Sequence, residues 1–140
     1  QVAYHVGLIN KYEHILLAGF HIEEDVYGRR YYYPEVNLGV DSGRRDETKM
    51  PDDTILVHLK ASPEVIRQRM TDTPHAYPVV PSTDVEEILE AFQWEYRQTW
   101  IKRKLEIDTS ELTPEGLLET FLSASVPHLS ERDLLIRMNS

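Results

Sequence analysis

Residues 54–59 (TILVHL) form a short apolar run that leads, within about three residues, into sequence with the signals of a helix start. Ser62 can cap that helix, Pro63 suits its first position and Glu64 favours its positive end. A strand that passes so quickly into a helix is typical of a β/α unit. The run is continuous rather than alternating, which indicates a strand buried on both faces of a parallel sheet. The chain is therefore predicted to have an α/β fold.

Other segments extend this prediction. Residues 15–20 form a second continuous apolar run and predict another buried strand, and residues 105–107 predict a short third strand. Apolar periodicity and capping residues predict four to five helices. They cover residues 3–12, 62–70, 83–104, 113–122 and 130–138. Thr83, Thr113 and Ser130 are predicted to begin the last three, and the apolar stripe of the longest helix, which includes Trp100, is predicted to lie in the core. Alternating strands and helices indicate a layered α/β domain over residues 1–140, with a parallel sheet that is incomplete at about three strands.

Composition limits the function classes. The 140 residues include no cysteine, 15 basic and 24 acidic side chains, for a formal charge of −9. Without cysteine there is no disulfide framework and no thiolate site. The acidic balance argues against a nucleic-acid polymer as partner. No apolar run approaches the roughly 20 residues that span a bilayer. These features predict a cytoplasmic protein with no membrane partner.

Two segments are predicted to have no regular secondary structure. Residues 37–53 are rich in turn formers and charge, which predicts a surface loop. Residues 71–81 contain three prolines, too many for regular helix, and are predicted to form a loop or lid.

Acidic residues follow the predicted strand over residues 15–20. Ligands of open α/β sheets bind at the carboxyl ends of strands, so Glu23 or Glu24 there can activate a substrate hydroxyl. Alternatively, these acids form the first turn of a helix, where its dipole stabilises them. His21 has no second histidine at ligand spacing, which favours a role other than metal binding. A metal hydrolase built on His21, Glu23, Glu24 and His75 is a weaker alternative.

An aromatic and basic patch comes next, and it includes Tyr27, Arg29 and Arg30. Aromatic rings stack on bases, and arginine grips phosphate or carboxylate with two hydrogen bonds. The alternative is an edge segment that buries its tyrosine rings. Arg67 and Arg69 precede the lid, and their spacing allows at most one of them to face a ligand.

In their order, these segments resemble the later two-thirds of a P-loop nucleoside or nucleotide kinase of the thymidylate kinase and deoxynucleoside kinase type. Four stretches carry the resemblance, namely residues 14–28, 52–70, 71–100 and 104–122. They look like the strand ending in the substrate motif, the strand and helix before the lid, the lid with its long helix, and the closing strand with the last helix. The resemblance implies a three-layer P-loop-NTPase-like fold.

The resemblance also implies roles for particular residues. Arg69 matches the arginine that lies against the adenine of ATP, and Thr109, Ser110 and Glu111 fall in the loop that borders it. Glu23 or Glu24 stands in for the carboxylate that activates the phosphoryl acceptor. The remaining candidates for substrate binding border the acceptor pocket, namely His21, Tyr27, Arg29 and Arg30. The implied cofactors are ATP and Mg²⁺, and the implied partner is a small phosphorylated or hydroxylated substrate.

The chain departs from this family in three ways. It has Gly19, Phe20 and His21 where the family has an acid–arginine pair, residues 71–81 lack arginine, and no Gly-Lys-Ser/Thr phosphate loop occurs. Phosphoryl transfer depends on that loop, so the isolated chain is predicted to be inactive and to bind no cofactor tightly. The start at Gln1 favours a fragment of a larger kinase-like domain. The alternative is a non-catalytic binding module that forms homo-oligomers through an open sheet edge.

Overall fold

The computed structural model describes residues 2–11, 15–35 and 46–138. These residues contain six α-helices: α1 (Val2–Lys11), α2 (His21–Glu23), α3 (Pro63–Asp72), α4 (Val85–Gln98), α5 (Pro114–Ser125) and α6 (Glu131–Met138). α2 continues into a π-helix over Glu24–Tyr32, and single 3₁₀ turns cover Ser82–Asp84 and Val126–His128. The two strands are β1 (Ile55–Lys60) and β2 (Arg103–Asp108).

The strands form a small parallel sheet. Its register runs from Ile55 opposite Arg103 to Lys60 opposite Asp108. The connection between the strands carries α3 and α4, as a parallel pair requires, because its strands need a crossover instead of a tight turn. The mixed helix and sheet architecture confirms the α/β class. β1 lies within one residue of its predicted position, and β2 is longer than predicted.

The prediction of a buried strand over residues 15–20 is wrong. These residues form no strand, and the side chains of Ile15 and Leu16 are 38% and 82% exposed. A strand needs a neighbour to satisfy its backbone groups, and within the described residues only β1 and β2 pair. Gly19, with φ of 77°, turns the chain into α2 at His21. The described chain therefore has two strands, not the predicted three.

Gly19 and Gly7 offer a matched test of this turn. A Cβ at Gly19 would collide with the Glu23 carboxylate and would sit at a positive φ, whereas nothing lies within 4 Å of a Cβ at Gly7 in α1. We expect Gly19→Ala to lower the free energy of unfolding by about 1 kcal/mol. Gly7→Ala should raise it by up to about 1 kcal/mol. Urea denaturation measures both, and equal effects of the two substitutions would contradict the assignment.

Three helix starts behave as predicted. The Ser62 hydroxyl accepts a hydrogen bond from the Val65 N–H at 3.3 Å, and the Thr113 hydroxyl accepts one from the Gly116 N–H at 3.1 Å. At α6, the Asp133 N–H donates to the Ser130 hydroxyl, while the Asp133 carboxylate accepts from the Ser130 N–H at 3.1 Å. These caps satisfy backbone donors that a helix leaves without partners.

α4 differs from its prediction at both ends. The Thr83 hydroxyl donates to Asp84 at 2.9 Å instead of capping the helix. The helix ends at Gln98, not near residue 104, because Thr99 turns to an extended backbone conformation. Trp100 lies past this end and is 54% exposed, so its predicted place in the core is wrong.

The core lies between the sheet and its helices. The buried apolar residues are Val6, Val26, Ala61, Val85, Ile88, Leu105 and Ile107. Across residues 2–11, 15–35 and 46–138, no helix is both long and apolar enough to cross a membrane.

Candidate functional site

Thr109 joins the carboxyl ends of the two strands. Its N–H and its hydroxyl both donate to the carbonyl oxygen of Lys60, at 2.7 and 3.0 Å. Thr109 is buried, and it receives two hydrogen bonds from the exposed Arg69 of α3. Arg69 Nη1 donates to the Thr109 hydroxyl at 3.0 Å, and Nη2 donates to its carbonyl at 2.7 Å. The guanidinium is therefore held along one edge.

Ser110 links the segments that follow β1 and β2. Its hydroxyl accepts from the Ser62 N–H at 2.9 Å and donates to the Asp108 carboxylate at 2.6 Å. The Ser110 N–H also donates to Asp108, at 2.9 Å. These hydrogen bonds, from the side chain first and then the backbone of Ser110, lower the pKa of the Asp108 carboxyl.

The structure thus brings together Arg69, Thr109 and Ser110, which sequence reasoning assigned to the ATP side. Glu111 follows them and is exposed. Arg69, Thr109 and Ser110 lie at the carboxyl ends of parallel strands, the edge at which α/β proteins bind ligands. We call Ser62, Arg69, Thr109 and Ser110 the strand-end site.

The predicted acceptor-side residues lie on the helical segment His21–Tyr32. Glu23 is exposed and folds back against Gly19, and Glu24 is half-buried with its carboxyl group 3.8 Å from a Cβ position at Gly28. As the alternative interpretation predicts, both lie at the start of a helix. The segment turns π-helical at Glu24 and ends with the Tyr33 N–H bonded to the Gly28 carbonyl at 2.7 Å. π-helical turns are rare and occur frequently at functional sites.

Arg29 and Arg30 line an open groove between this segment and α4. The groove has a volume of about 490 Å³. Its lining residues are Asp25, Val26, Arg29, Arg30, Ile88, Ala91, Trp94 and Glu95. Asp25 directly follows Glu23 and Glu24 in the sequence, and it is the acid of these three that lines the groove. Its burial could not be read from three consecutive acids.

Carboxylates hold both arginines in place. Arg29 pairs with Asp25 at 3.5 Å, and Arg30 pairs with Asp84 at 3.4 Å and with Glu87. The Tyr31 hydroxyl also donates to Asp84, at 2.9 Å, and this bond is the first cause of a lowered pKa of the Asp84 carboxyl.

Tyr27 packs between the helices. Its ring meets Phe92 of α4 edge-on, with centroids 5.3 Å apart. Burial, followed by the charge of Glu23, raises the pKa of the Tyr27 hydroxyl. The Tyr27 ring thus joins the helical segment to α4. The alternative that the tyrosines of this stretch bury their rings holds for Tyr27 but not for Tyr32 and Tyr33, which are 51% and 48% exposed.

His21 lies in a buried network that sequence reasoning missed. His21 and Glu47 have side chains only 3% and 2% exposed, and His21 Nε2 lies 2.6 Å from Glu47 Oε1. The Glu47 carboxylate also accepts from the Thr99 hydroxyl at 2.5 Å and from the Trp100 N–H at 2.6 Å. Burial disfavours the charged carboxylate, but the three hydrogen bonds outweigh it and lower the Glu47 pKa.

Glu47 corrects the prediction of a surface loop over residues 37–53. Residues 37–45 lie outside the described residues, but Glu47 is buried. A single acid in a charged, turn-rich stretch carries no signal of burial, because its partners are 26 and 52 residues away.

The predicted lid over residues 71–81 is irregular from residue 73 onwards, whereas Thr71 and Asp72 belong to the end of α3. Residues 74–79 are exposed, and His75 Nδ1 lies 3.0 Å from the Tyr77 N–H. Arg67 of α3 donates to the Ser82 carbonyl at 3.2 Å and pairs with Glu86, so it secures the point where the lid enters α4. Arg67 therefore supports the lid while Arg69 lies at the strand-end site, as their spacing predicts.

Within the described ranges, no group of three or more histidine or acidic side chains is arranged to hold a metal ion. Comparison of the sequence with protein-family models, with curated proteins and with solved structures gave no match.

Proposed function

We propose that the strand-end site binds the base of a nucleotide, and that the chain belongs to a P-loop-NTPase-like kinase domain. In the intact protein, this domain would transfer phosphate from ATP to a nucleoside, a nucleotide or a similar small hydroxylated substrate. The observation that carries the proposal is the pair of hydrogen bonds from Arg69 to Thr109 at the end of the parallel strands.

The chemistry of the guanidinium supports this proposal. It is planar and stacks on aromatic faces. Because Thr109 holds the Arg69 guanidinium along one edge, its faces remain suited to stacking on a planar base. The Ser110 hydroxyl belongs to the same site, where it accepts from the Ser62 N–H and donates to Asp108, and its remaining lone pair suits a donor group of a base or ribose.

The residues present fit the base of ATP better than its phosphates. The sequence has no glycine-rich phosphate loop and no Gly-Lys-Ser/Thr. ATP-dependent transfer, and Mg²⁺ with it, therefore belong to the proposal for the intact protein. For the acceptor side we propose Glu23 or Glu24. An anionic acceptor at Arg29 and Arg30 would have to compete with Asp25, Asp84 and Glu87.

Nucleotide titration tests the strand-end site. Isothermal titration should show weak binding of ATP and adenosine with similar dissociation constants, because the base carries the contacts. Arg69→Ala should weaken both by about tenfold, and Arg69→Lys should not restore them, because lysine keeps the charge but loses the planar fork. The isolated chain should transfer no phosphate.

Arg97→Ala is the matched control, since it removes the same charge from an exposed position on α4. It should leave both affinities unchanged. Binding of ATP without binding of adenosine would contradict base recognition, and unchanged affinity in Arg69→Ala would contradict the site. Phosphoryl transfer by the isolated chain would contradict the predicted need for a phosphate loop.

A second candidate function is self-association through the sheet. Within the described residues, β1 and β2 each have an unpaired edge, and the exposed Leu16 belongs to an apolar run of strand-like composition. Unpaired edges are templates for pairing with another chain. Sedimentation velocity should then show a dimer that Leu16→Lys dissociates. A monomer at all accessible concentrations would exclude this function.

A further inference from the structure

The groove between the helical segment His21–Tyr32 and α4 has an apolar floor. Val26 comes from one wall, and Ile88 and Ala91 come from the other. Trp94 lies at the same groove and is 47% exposed. Val26 and Ile88 are buried at the bottom of the groove, so its accessible apolar surface comes mainly from Ala91 and Trp94. Exposed tryptophan rimmed by polar residues is typical of interaction sites, and tryptophan is among the residues most often found at their energetic centres.

Several contacts make the groove walls rigid. Tyr27 packs on Phe92 near the middle, while Arg30 and Tyr31 bind Asp84 at the beginning of α4. At the other end, His21 reaches Glu47, which also binds Thr99 just after α4. A groove fixed along its length needs little reorganisation to receive a partner, which favours binding.

The charge around the groove is negative. The lining holds two guanidinium groups, those of Arg29 and Arg30, and two carboxylates, and two further carboxylates that pair with Arg30 bring the number of acids to four. The four are Asp25, Asp84, Glu87 and Glu95. Both arginines already pair with carboxylates from this set, and the whole chain carries a formal charge of −9. The field at the groove therefore attracts cationic groups and repels anionic ones.

From the apolar floor, the exposed indole and the negative rim, we infer that this groove is a docking site for a basic amphipathic helix of a partner protein. The apolar stripe of that helix packs on Trp94 and Ala91, above the buried Val26 and Ile88. Its lysine or arginine side chains lie beside the rim carboxylates Glu87 and Glu95. In complexes of this kind, apolar side chains at helical spacing on the bound helix fill the groove. The surrounding charges determine specificity and association rate. This inference goes beyond nucleotide binding and does not depend on it.

Tryptophan fluorescence gives a direct test on the full chain. The chain has two tryptophans, so Trp100→Phe leaves Trp94 as the single reporter. The probe is a synthetic helix of leucine and lysine about 15 residues long, a length at which a helix can form. Its binding should shift the Trp94 emission to shorter wavelength. Affinity should fall steeply between about 0.1 and 1 M salt, as the Debye length shortens from about 10 to about 3 Å.

Variants separate docking in the groove from general attraction to an acidic protein. Trp94→Ala should reduce affinity at least about tenfold, as for a hot-spot residue, and Glu87→Lys with Glu95→Lys should reduce it further. Trp100→Ala removes a similarly exposed tryptophan outside the groove and should have no effect. Because the variants at position 94 lack the reporter, the fluorescence anisotropy of a dye-labelled peptide measures the affinity of every variant. Circular dichroism checks that each variant is folded, and Trp94→Phe keeps an aromatic ring in place if the alanine variant unfolds.

Three results would overturn the inference. They are equal binding by wild type and Trp94→Ala, tighter binding of the counterpart peptide with glutamate in place of lysine, and a Trp94 emission shift by inorganic phosphate alone. A concentration-dependent shift without peptide would assign the groove to a second copy of the chain instead.

Discussion

Replacing Glu47 by alanine is expected to lower the free energy of unfolding by about 3–4 kcal/mol, the largest effect of any single substitution proposed for this protein. The carboxylate accepts hydrogen bonds from His21, Thr99 and the Trp100 N–H. Its removal leaves three donors without their acceptor in a site from which water is excluded, and each such donor costs about 1–3 kcal/mol when nothing else moves. Partial relaxation accounts for the smaller total.

Graded variants identify the cause of this loss. Thr99→Val removes one donor to Glu47 and also the acceptor of the Ile101 N–H, and it should cost about 1–2 kcal/mol. The loss of unfolding free energy in Glu47→Gln should lie between the losses in Thr99→Val and Glu47→Ala. The amide oxygen of glutamine can still accept the hydrogen bonds made to one of the two carboxylate oxygens. Glu90→Ala, which removes an exposed glutamate from α4, is the control and should change stability by less than about 0.5 kcal/mol. Urea denaturation measures all four variants, and a loss in Glu47→Ala no larger than in Glu90→Ala would contradict the network.

Glu47 also shows where sequence reasoning stops. Signals confined to one turn of chain gave correct predictions: Ser62 and Thr113 cap the helices that follow them, and β1 lies almost where its apolar run predicts. The predicted end of α4 was wrong, because the backbone becomes extended at Thr99, whose hydroxyl donates a hydrogen bond to a carboxylate 52 residues earlier in the chain. Periodicity within α4 contains no information about that carboxylate.

The failed strand over residues 15–20 has the same origin. Its apolar composition is that of a buried strand, but a strand depends on neighbours that supply hydrogen bonds, and only β1 and β2 pair among the described residues. The π-helical form of Glu24–Tyr32 was also not foreseen, since no local pattern distinguishes it from an α-helix.

The residues of the strand-end site were predicted but the groove was not, again because local sequence patterns do not show which distant segments pack together. Resemblance placed Arg69 and Thr109 near one ligand, and the structure joins them across 40 residues. The groove was not predicted, because it depends on the packing of the helical segment against α4. Asp25 and Trp94 acquire their places in it only through that packing.

Acid titration should reveal a second network, centred on Glu106 of β2. Its carboxylate accepts from Lys60 Nζ of β1 and from Gln93 Nε2 of α4, both at 2.8 Å, and lies 3.4 Å from His58 Nδ1. These contacts, that with Lys60 first, lower the pKa of Glu106 from 4.5 to about 2. They join both strands and α4 through one charged group.

A carboxyl group whose pKa is lower in the folded than in the unfolded state stabilises the fold above the unfolded value and loses this contribution as the pH falls through the folded value. The Glu106 contribution should therefore be complete above about pH 4.5 and decline towards pH 2. Because Glu106 is partly exposed, we expect Glu106→Gln to cost about 2 kcal/mol at neutral pH, less than the full pKa shift implies.

Denaturant unfolding at a series of pH values tests whether the stability contribution of Glu106 declines as the pH falls. The stability of wild type should fall more steeply than that of Glu106→Gln between pH 4.5 and 2, so that the two curves converge at the acid end. Glu119→Gln, on the exposed face of α5, should follow wild type throughout. Parallel curves for wild type and Glu106→Gln would show that Glu106 stabilises the sheet through packing instead of charge. The pKa of Glu47 is also lowered, so the Glu106→Gln variant should keep part of the acid sensitivity of wild type. Adding Thr99→Val to Glu106→Gln should weaken that remainder.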